Sequence, residues 1–231
     1  MAQNHLQGVL SELEDFSVRK QMKIKEKKTN LMKFNFSLNY DFPPELTLKG
    51  FKNHVDIVKE TRLLGVILTD DLKWSANTNF ICSKAYKKMW ILRRLKVLNV
   101  GPILLLDVYC KEVRSVLEMG VPAWNSGLTV HQSEKIERVQ KVAVSIILGK
   151  THLKYHEALK LLSLEELRVR REKLCLNFAR KTLKSRHSSM FIRNTSHYNT
   201  RHFNLYREEK ANTKRFYMSP LNYITRLLNE N

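Results

Sequence analysis

The stretch ETRLLGVILTDDLKWSANTNFICSKAYKKMWILRRL, residues 60–95, decides the fold class, because two hydrophobic periods meet inside it. Leu63, Leu64, Val66, Ile67 and Leu68 form a short apolar run broken by Gly65 and bounded by Thr69-Asp70-Asp71, which predicts a buried strand closing in a turn. Ser75 is then placed to cap a helix. From Thr78 to Leu95 apolar residues recur at three and four, with Cys82, Ala85, Met89 and Leu92 on one face and Lys84, Lys87, Lys88 and Arg94 on the other. Ile91 and Leu95 interrupt the basic face, so this helix is expected to pack on two sides with its cations toward one rim.

Upstream, Leu6, Val9, Leu10, Leu13 and Phe16 have helical spacing and predict an amphipathic helix within residues 1–21. Residues 22–30 and 31–36 read as two short alternating strands around a charged turn, crowded by Lys23, Lys25, Lys27, Lys28 and Lys33. Such lysines suit a solvated hairpin edge as well as a polyanion contact. Asp41-Phe-Pro-Pro predicts a loop, and residues 46–58 a weak strand pair.

Downstream the pattern is almost wholly helical. Pro102 after Gly101 opens a helix with Leu106, Cys110, Val113 and Leu117 inward, ended by Gly120 and Pro122. Thr129 with Gln132, or alternatively Ser133, caps the next, whose stripe is Ile136, Val139, Ala143 and Ile146 up to Gly149. A short segment covers about residues 153–161. Ser163 with Glu166 makes a capping box for a helix carrying Leu167, Leu174 and Phe178 inward and Arg168, Arg170, Lys173, Arg180, Lys181 and Lys184 outward. Helices this short need each other's apolar stripes, so residues 75–184 are expected to form a bundle. Residues 185 to about 215 read as a loosely ordered basic tail, and 220–228 as a short closing helix.

Composition narrows the function. Lys and Arg number 41 against 22 Asp and Glu, a formal charge of +19, which favours polyanions: nucleic acid before anionic membrane. A hydrophobic content of 43% is ordinary for a folded chain and argues against wholesale disorder. No run approaches about 18 apolar residues and no signal-peptide core opens the chain, so the expectation is a soluble, intracellular protein without a membrane partner. Cys82, Cys110 and Cys175 are odd in number and far apart, which excludes a disulfide framework and a Cys-x-x-Cys metal site.

Asp70-Asp71 invites comparison with carboxylates that clamp two metal ions, but the residues around it predict a turn with helix-initiating acids. His152 and His156 are four apart with no third ligand, and Ser126 near His131 and Glu134 lacks a nucleophile elbow. The basic helices carry more: Lys84, Lys87, Lys88, Arg93 and Arg94, with Trp74, Tyr86 and Trp90, offer phosphate contacts and stacking surfaces.

A Leu-Gly-Val strand, a turn, Leu-Lys-Trp and a helix ending in Leu-Arg-Arg-Leu resembles the palm–thumb junction of reverse transcriptases from LINE-type, non-LTR retrotransposons. Lys28-Thr29 resembles the family's Lys-Thr element, whose lysine lies near the incoming nucleotide, and Leu63-Leu64-Gly65-Val66 its primer-grip hairpin. Trp74, Leu92-Arg93-Arg94, Tyr109, Arg114, Glu118, Pro122-Ala123-Trp124, Glu137-Arg138-Val139-Gln140 and Arg170-Arg171 follow in similar order, covering roughly residues 5–185. Lys25 stands where the family usually has Asn, and Phe16 where Trp is common.

The resemblance implies an α+β architecture: a partial palm over residues 1–72, a helical thumb-like bundle over 73–184, and the tail over 185–231. It implies descent from an RNA-directed DNA polymerase whose catalytic carboxylates are not in this chain. No cofactor is then expected here, since Mg belongs to an intact polymerase. What remains is binding of an RNA template with its DNA primer, through Lys28, Leu64, Gly65, Trp74, Lys84, Lys87, Lys88, Arg93 and Arg94, with the missing fingers and palm segment as a further partner. The alternative is a non-catalytic helical module that meets an acidic protein.

Overall fold

The computed structural model describes residues 2–34, 55–149, 153–194 and 204–230, which fall into two compact units, Met1–Leu72 and Lys73–Asn231. The architecture is mixed helix and strand. In the first unit, helix α1 (Ala2–Arg19) precedes a 3-10 turn (Glu26–Lys28) and four short strands, β1 (Asn30–Leu31), β2 (Asp56–Ile57), β3 (Glu60–Leu63) and β4 (Val66–Thr69). The expected loop at residues 41–44 and residues 46–54 of the expected strand pair lie outside the described residues.

The lysine-rich hairpin does not form within residues 22–34. Lys28 N–H donates to Lys25 O at 3.0 Å to close the 3-10 turn, and β1 pairs in parallel with β2, Asn30 opposite Asp56 and Leu31 opposite Ile57. An antiparallel hairpin would bring lysines of its two arms face to face, and like charges directly opposite are destabilising.

The apolar run of residues 63–68 is a hairpin instead of one buried strand. Leu64 and Gly65 have φ of 47° and 91°, the two positive values of a type I′ turn, so Leu63 pairs with Val66 and Glu60 with Thr69. Glycine takes such a φ freely, whereas leucine is strained by it. Asp70-Asp71 forms the next turn: Asp70 N–H donates to Lys59 O at 2.9 Å, and Thr69 Oγ1 donates to Asp71 Oδ1 at 2.8 Å. No described side chain of this unit is buried, and Val9, Leu13 and Phe16 of α1 are all exposed.

The second unit comprises α2 (Ser75–Val97), α3 (Pro102–Val108), which runs through a π-helical turn (Tyr109–Arg114) into α4 (Ser115–Leu117), then α5 (Val121–Trp124), α6 (Val130–Leu148), α7 (Tyr155–Leu161), α8 (Leu167–Leu183), α9 (Lys214–Tyr217) and α10 (Pro220–Glu230). α2 packs on α6 and the π turn, and α8 packs on α5, α6 and α10. Met89 and Leu92 of α2, Tyr109 and Val113 of the π turn, Trp124 of α5, and Ile136 and Ile147 of α6 are among the fully enclosed side chains.

Local chemistry explains several boundaries. Thr129 caps α6 in a complete capping box with Gln132, its hydroxyl accepting Gln132 N–H at 3.2 Å. Ser75 is not a cap; its hydroxyl accepts the Gln132 side-chain amide at 2.9 Å and ties α2 to α6. The expected Ser163–Glu166 box is absent, because Ser163 takes φ 52° in the preceding turn and α8 starts at Leu167. Leu167 N–H donates instead to Glu137 Oε2 of α6, at 2.9 Å.

Among the described residues beyond 184, a few side chains reach the core, although the sequence pattern predicts a loose tail. Phe191 and Tyr206 are buried with ring centroids 6.4 Å apart, and Ile224 of α10 is buried as well. The Asn229 side chain satisfies both backbone groups of Tyr206, accepting its N–H at 2.9 Å and donating to its carbonyl at 3.0 Å. A pattern reading misses this because the contacts span 23 residues.

Candidate nucleic-acid interface

α2 buries Asn77, Thr78, Ile81, Cys82, Ala85, Met89 and Leu92. Helical periodicity then turns Tyr86, Lys87, Trp90, Arg93, Arg94 and Val97 outward as one stripe, all of them exposed. Trp90 sits at its centre with 63% of its surface accessible. Among the described residues Lys87, Arg93 and Arg94 make no ion pair.

Two other cations of α2, Lys88 and Lys96, are engaged in packing. Lys88 Nζ lies 2.6 Å from Glu112 Oε2, and Lys96 Nζ donates to Ile147 O at 2.8 Å, completing the C-terminal end of α6 where positive charge is favoured. Lys84 is half-buried. Of the five cations expected on this helix, three therefore stand free on one exposed face with Tyr86 and Trp90, Lys88 is tied within the bundle, and Lys84 lies at the margin.

Trp74 is not a stacking surface. It is 8% exposed, and a Cβ added to Gly127 would fall 2.3 Å from its Nε1, so the indole occupies the space that glycine leaves. Lys28, Leu64 and Gly65 belong to the first unit. Lys28 is exposed on its 3-10 turn, and Leu64 projects from the hairpin tip with 92% of its surface accessible. The exposed apolar corner of Val97, Leu98, Ile103 and Leu104 between α2 and α3 was not legible in the helical pattern, which assigns only the faces of helices.

Polar groups inside the bundle hold these faces in place. Glu118 receives Arg170, with Nη2–Oε2 at 3.2 Å, and lies 3.6 Å from Arg114 Nε. The hydrogen bond to Glu118 is the main reason the Arg170 guanidinium holds its proton more tightly than usual. Arg171 is almost wholly enclosed, donating through Nε to Asn125 Oδ1 at 2.9 Å and through Nη2 to Ser133 Oγ at 2.6 Å; burial pushes its pKa down. Tyr109 OH donates to Gln140 Oε1 at 2.6 Å, and Gln140 Nε2 donates to Tyr155 OH at 3.0 Å. Burial raises both phenols, and the Tyr155 hydrogen bond to Glu137 raises that group further.

The other candidate chemistries find no constellation. Among the described residues no group of three or more His, Cys, Asp or Glu is placed to hold a metal ion. His156 is exposed on α7, and His152 lies outside the described residues. Ser126 is buried in the 3-10 turn Asn125–Gly127. Burial pushes the Cys82 and Cys175 thiols up to about 11, which leaves them protonated and poor nucleophiles at neutral pH. No described helix is long and apolar enough to cross a membrane. No protein family, no curated protein and no solved structure matches this chain.

Proposed function

We propose that the chain is the late-palm and thumb portion of a protein similar to LINE-type reverse transcriptases, and that it binds an RNA–DNA template–primer without polymerase chemistry of its own. The observation that carries this reading is the outer stripe of α2, where Lys87, Arg93 and Arg94 surround an exposed Trp90. Cations free of protein carboxylates exchange counterions for phosphates, which gives affinity without sequence preference. The first unit adds support: none of its described side chains is buried, in keeping with a palm that lacks its covering half. Metal chemistry would enter only with carboxylates supplied by that half.

Binding of an RNA–DNA hybrid, measured against salt, tests the reading. Affinity should fall steeply as salt rises, and replacing Lys87, Arg93 and Arg94 by Ala should reduce the log–log slope by about 3, roughly one per cation. Salt-independent binding, or a triple variant that behaves as wild type, would remove α2 from the interface. A helical module docking an acidic protein is the second reading, favoured by the exposed apolar corner of Val97, Leu98, Ile103 and Leu104 beside Arg93 and Arg94.

A further inference from the structure

The bundle carries a second cationic face, separate from α2. From Lys173 to Arg207 the sequence holds eight Lys and Arg residues and no Asp or Glu. Within that span Leu174, Asn177, Phe178, Arg180, Lys181 and Lys184 line a shallow groove of about 390 Å³ along α8.

α8 buries Leu167, Arg171, Cys175, Ala179 and Thr182, and Phe178 lies at the margin of that face, 40% exposed, where the apolar pattern alone places it in the core. Arg180, Lys181 and Lys184 are exposed beside it and, among the described residues, make no ion pair, whereas Arg170 and Lys173 are held by Glu118 and Glu165. A ring in a recess, flanked by free cations on an acid-free segment, is complementary to a polyanion that also offers an aromatic face.

We propose that this α8 groove binds single-stranded nucleic acid, with Phe178 stacking on an unpaired base and Arg180, Lys181 and Lys184 contacting its phosphates. In a duplex the base faces are covered by their neighbours, so a recessed ring gains a stacking partner only from a strand whose bases are splayed out. The proposal rests on the reading of the chain as a nucleic-acid binder, but it assigns a different helix and a different form of the ligand.

The test compares a labelled single-stranded U12 RNA with a 12-base-pair RNA–DNA hybrid, using the full chain and fluorescence anisotropy over a salt series. The Arg180→Ala, Lys181→Ala, Lys184→Ala variant should bind U12 at least about tenfold more weakly, with a salt slope lower by about 2, at 0.7 per cation, while hybrid affinity stays within about twofold. Phe178→Ala should weaken U12 about fivefold or more at an unchanged slope, since stacking releases no counterions. Both changes lie on exposed positions, and a thermal melt by circular dichroism confirms that the bundle is retained. Unchanged U12 affinity in both variants overturns the proposal, as does an equal loss on U12 and hybrid. Loss of binding to phosphatidylserine vesicles with U12 binding intact overturns it in favour of a membrane surface. Should the α2 variant lose hybrid while the α8 variant keeps U12, only this proposal fails; should wild type bind neither ligand in a salt-dependent way, the broader reading fails with it.

Discussion

At Gly127 the absence of one carbon determines where an indole sits. The Cβ of an alanine would meet Trp74 Nε1 at 2.3 Å and Cδ1 at 2.5 Å, so the ring or the 3-10 turn must move. Gly127→Ala should destabilise the second unit by about 1–3 kcal/mol, read from the urea midpoint, with a change in tryptophan emission as Trp74 is displaced. Cys82 and Cys175 make a second residue-scale prediction. An unfolded thiol loses its proton near the ordinary value of 9.0, whereas these two keep theirs to about 11 in the fold. Their raised values favour the folded state fully below pH 9, and that contribution is lost as pH rises from 9 through 11. In reducing buffer the urea midpoint should start to fall above pH 9, and a Cys82→Ala, Cys175→Ala variant should lose the early part of that fall. Neither effect is legible in sequence: Trp74 beside a basic helix reads as a stacking residue until its glycine partner, 53 positions away, is seen.

Among the elements, α8 is the one whose start depends on another helix. Glu137 of α6 accepts the Leu167 N–H through Oε2 and the Tyr155 hydroxyl through Oε1. Glu137→Ala leaves both donors without that partner and should cost about 2–3 kcal/mol, with faster hydrogen exchange at the Leu167 amide; Glu137→Gln should recover part of the loss. The existence of the long helices was readable from apolar spacing, and so was the Thr129 capping box, because each is encoded within a few residues. Helix phase was less so. The π turn widens the helical repeat, so Leu105, Tyr109 and Val113 are buried at steps of four, while the expected Leu106 and Cys110 are only half-buried. In α8 Arg171 is enclosed, its hydrogen bonds to Asn125 and Ser133 making an arginine acceptable inside, while Phe178 stays 40% exposed. The basic rim of α2 was visible in sequence, but the division between free Lys87 and engaged Lys88 depends on Glu112, which lies 24 residues away.

On the scale of the whole molecule, the two units differ in how their side chains are covered. The second encloses apolar residues from Trp74 to Ile224, whereas the first has none buried among its described residues, and both of its described sheets are two-stranded. Two-stranded pairs without a covering layer are marginal in water. Amide exchange should therefore be fast throughout β3, β4 and α1 and slow in α2, α6 and α8, a contrast measurable in one hydrogen-exchange experiment. Comparable protection in both units would show that the first is as cohesive as the second. The mixed helix–strand class was accessible from local pattern, but the packing of Phe191, Tyr206 and α10 into the bundle was not. It depends on Asn229 reaching back to Tyr206 and on Phe191 meeting the same ring.

The uncovered side chains of the first unit also govern how the chain behaves in different salts. At the proposed interface, ions would screen phosphate contacts to Lys87, Arg93 and Arg94, so any added salt should loosen a polyanion from them. Sulfate and phosphate additionally strengthen the burial of apolar surface, and Val9, Leu13, Phe16 and Leu64 all stand exposed. Under the proposed reading, a sulfate gradient should therefore detach a bound polyanion and at the same time favour association between copies of the chain. Chloride, which lacks the second action, separates the two effects, and colloidal stability should follow the identity of the anion as much as its concentration.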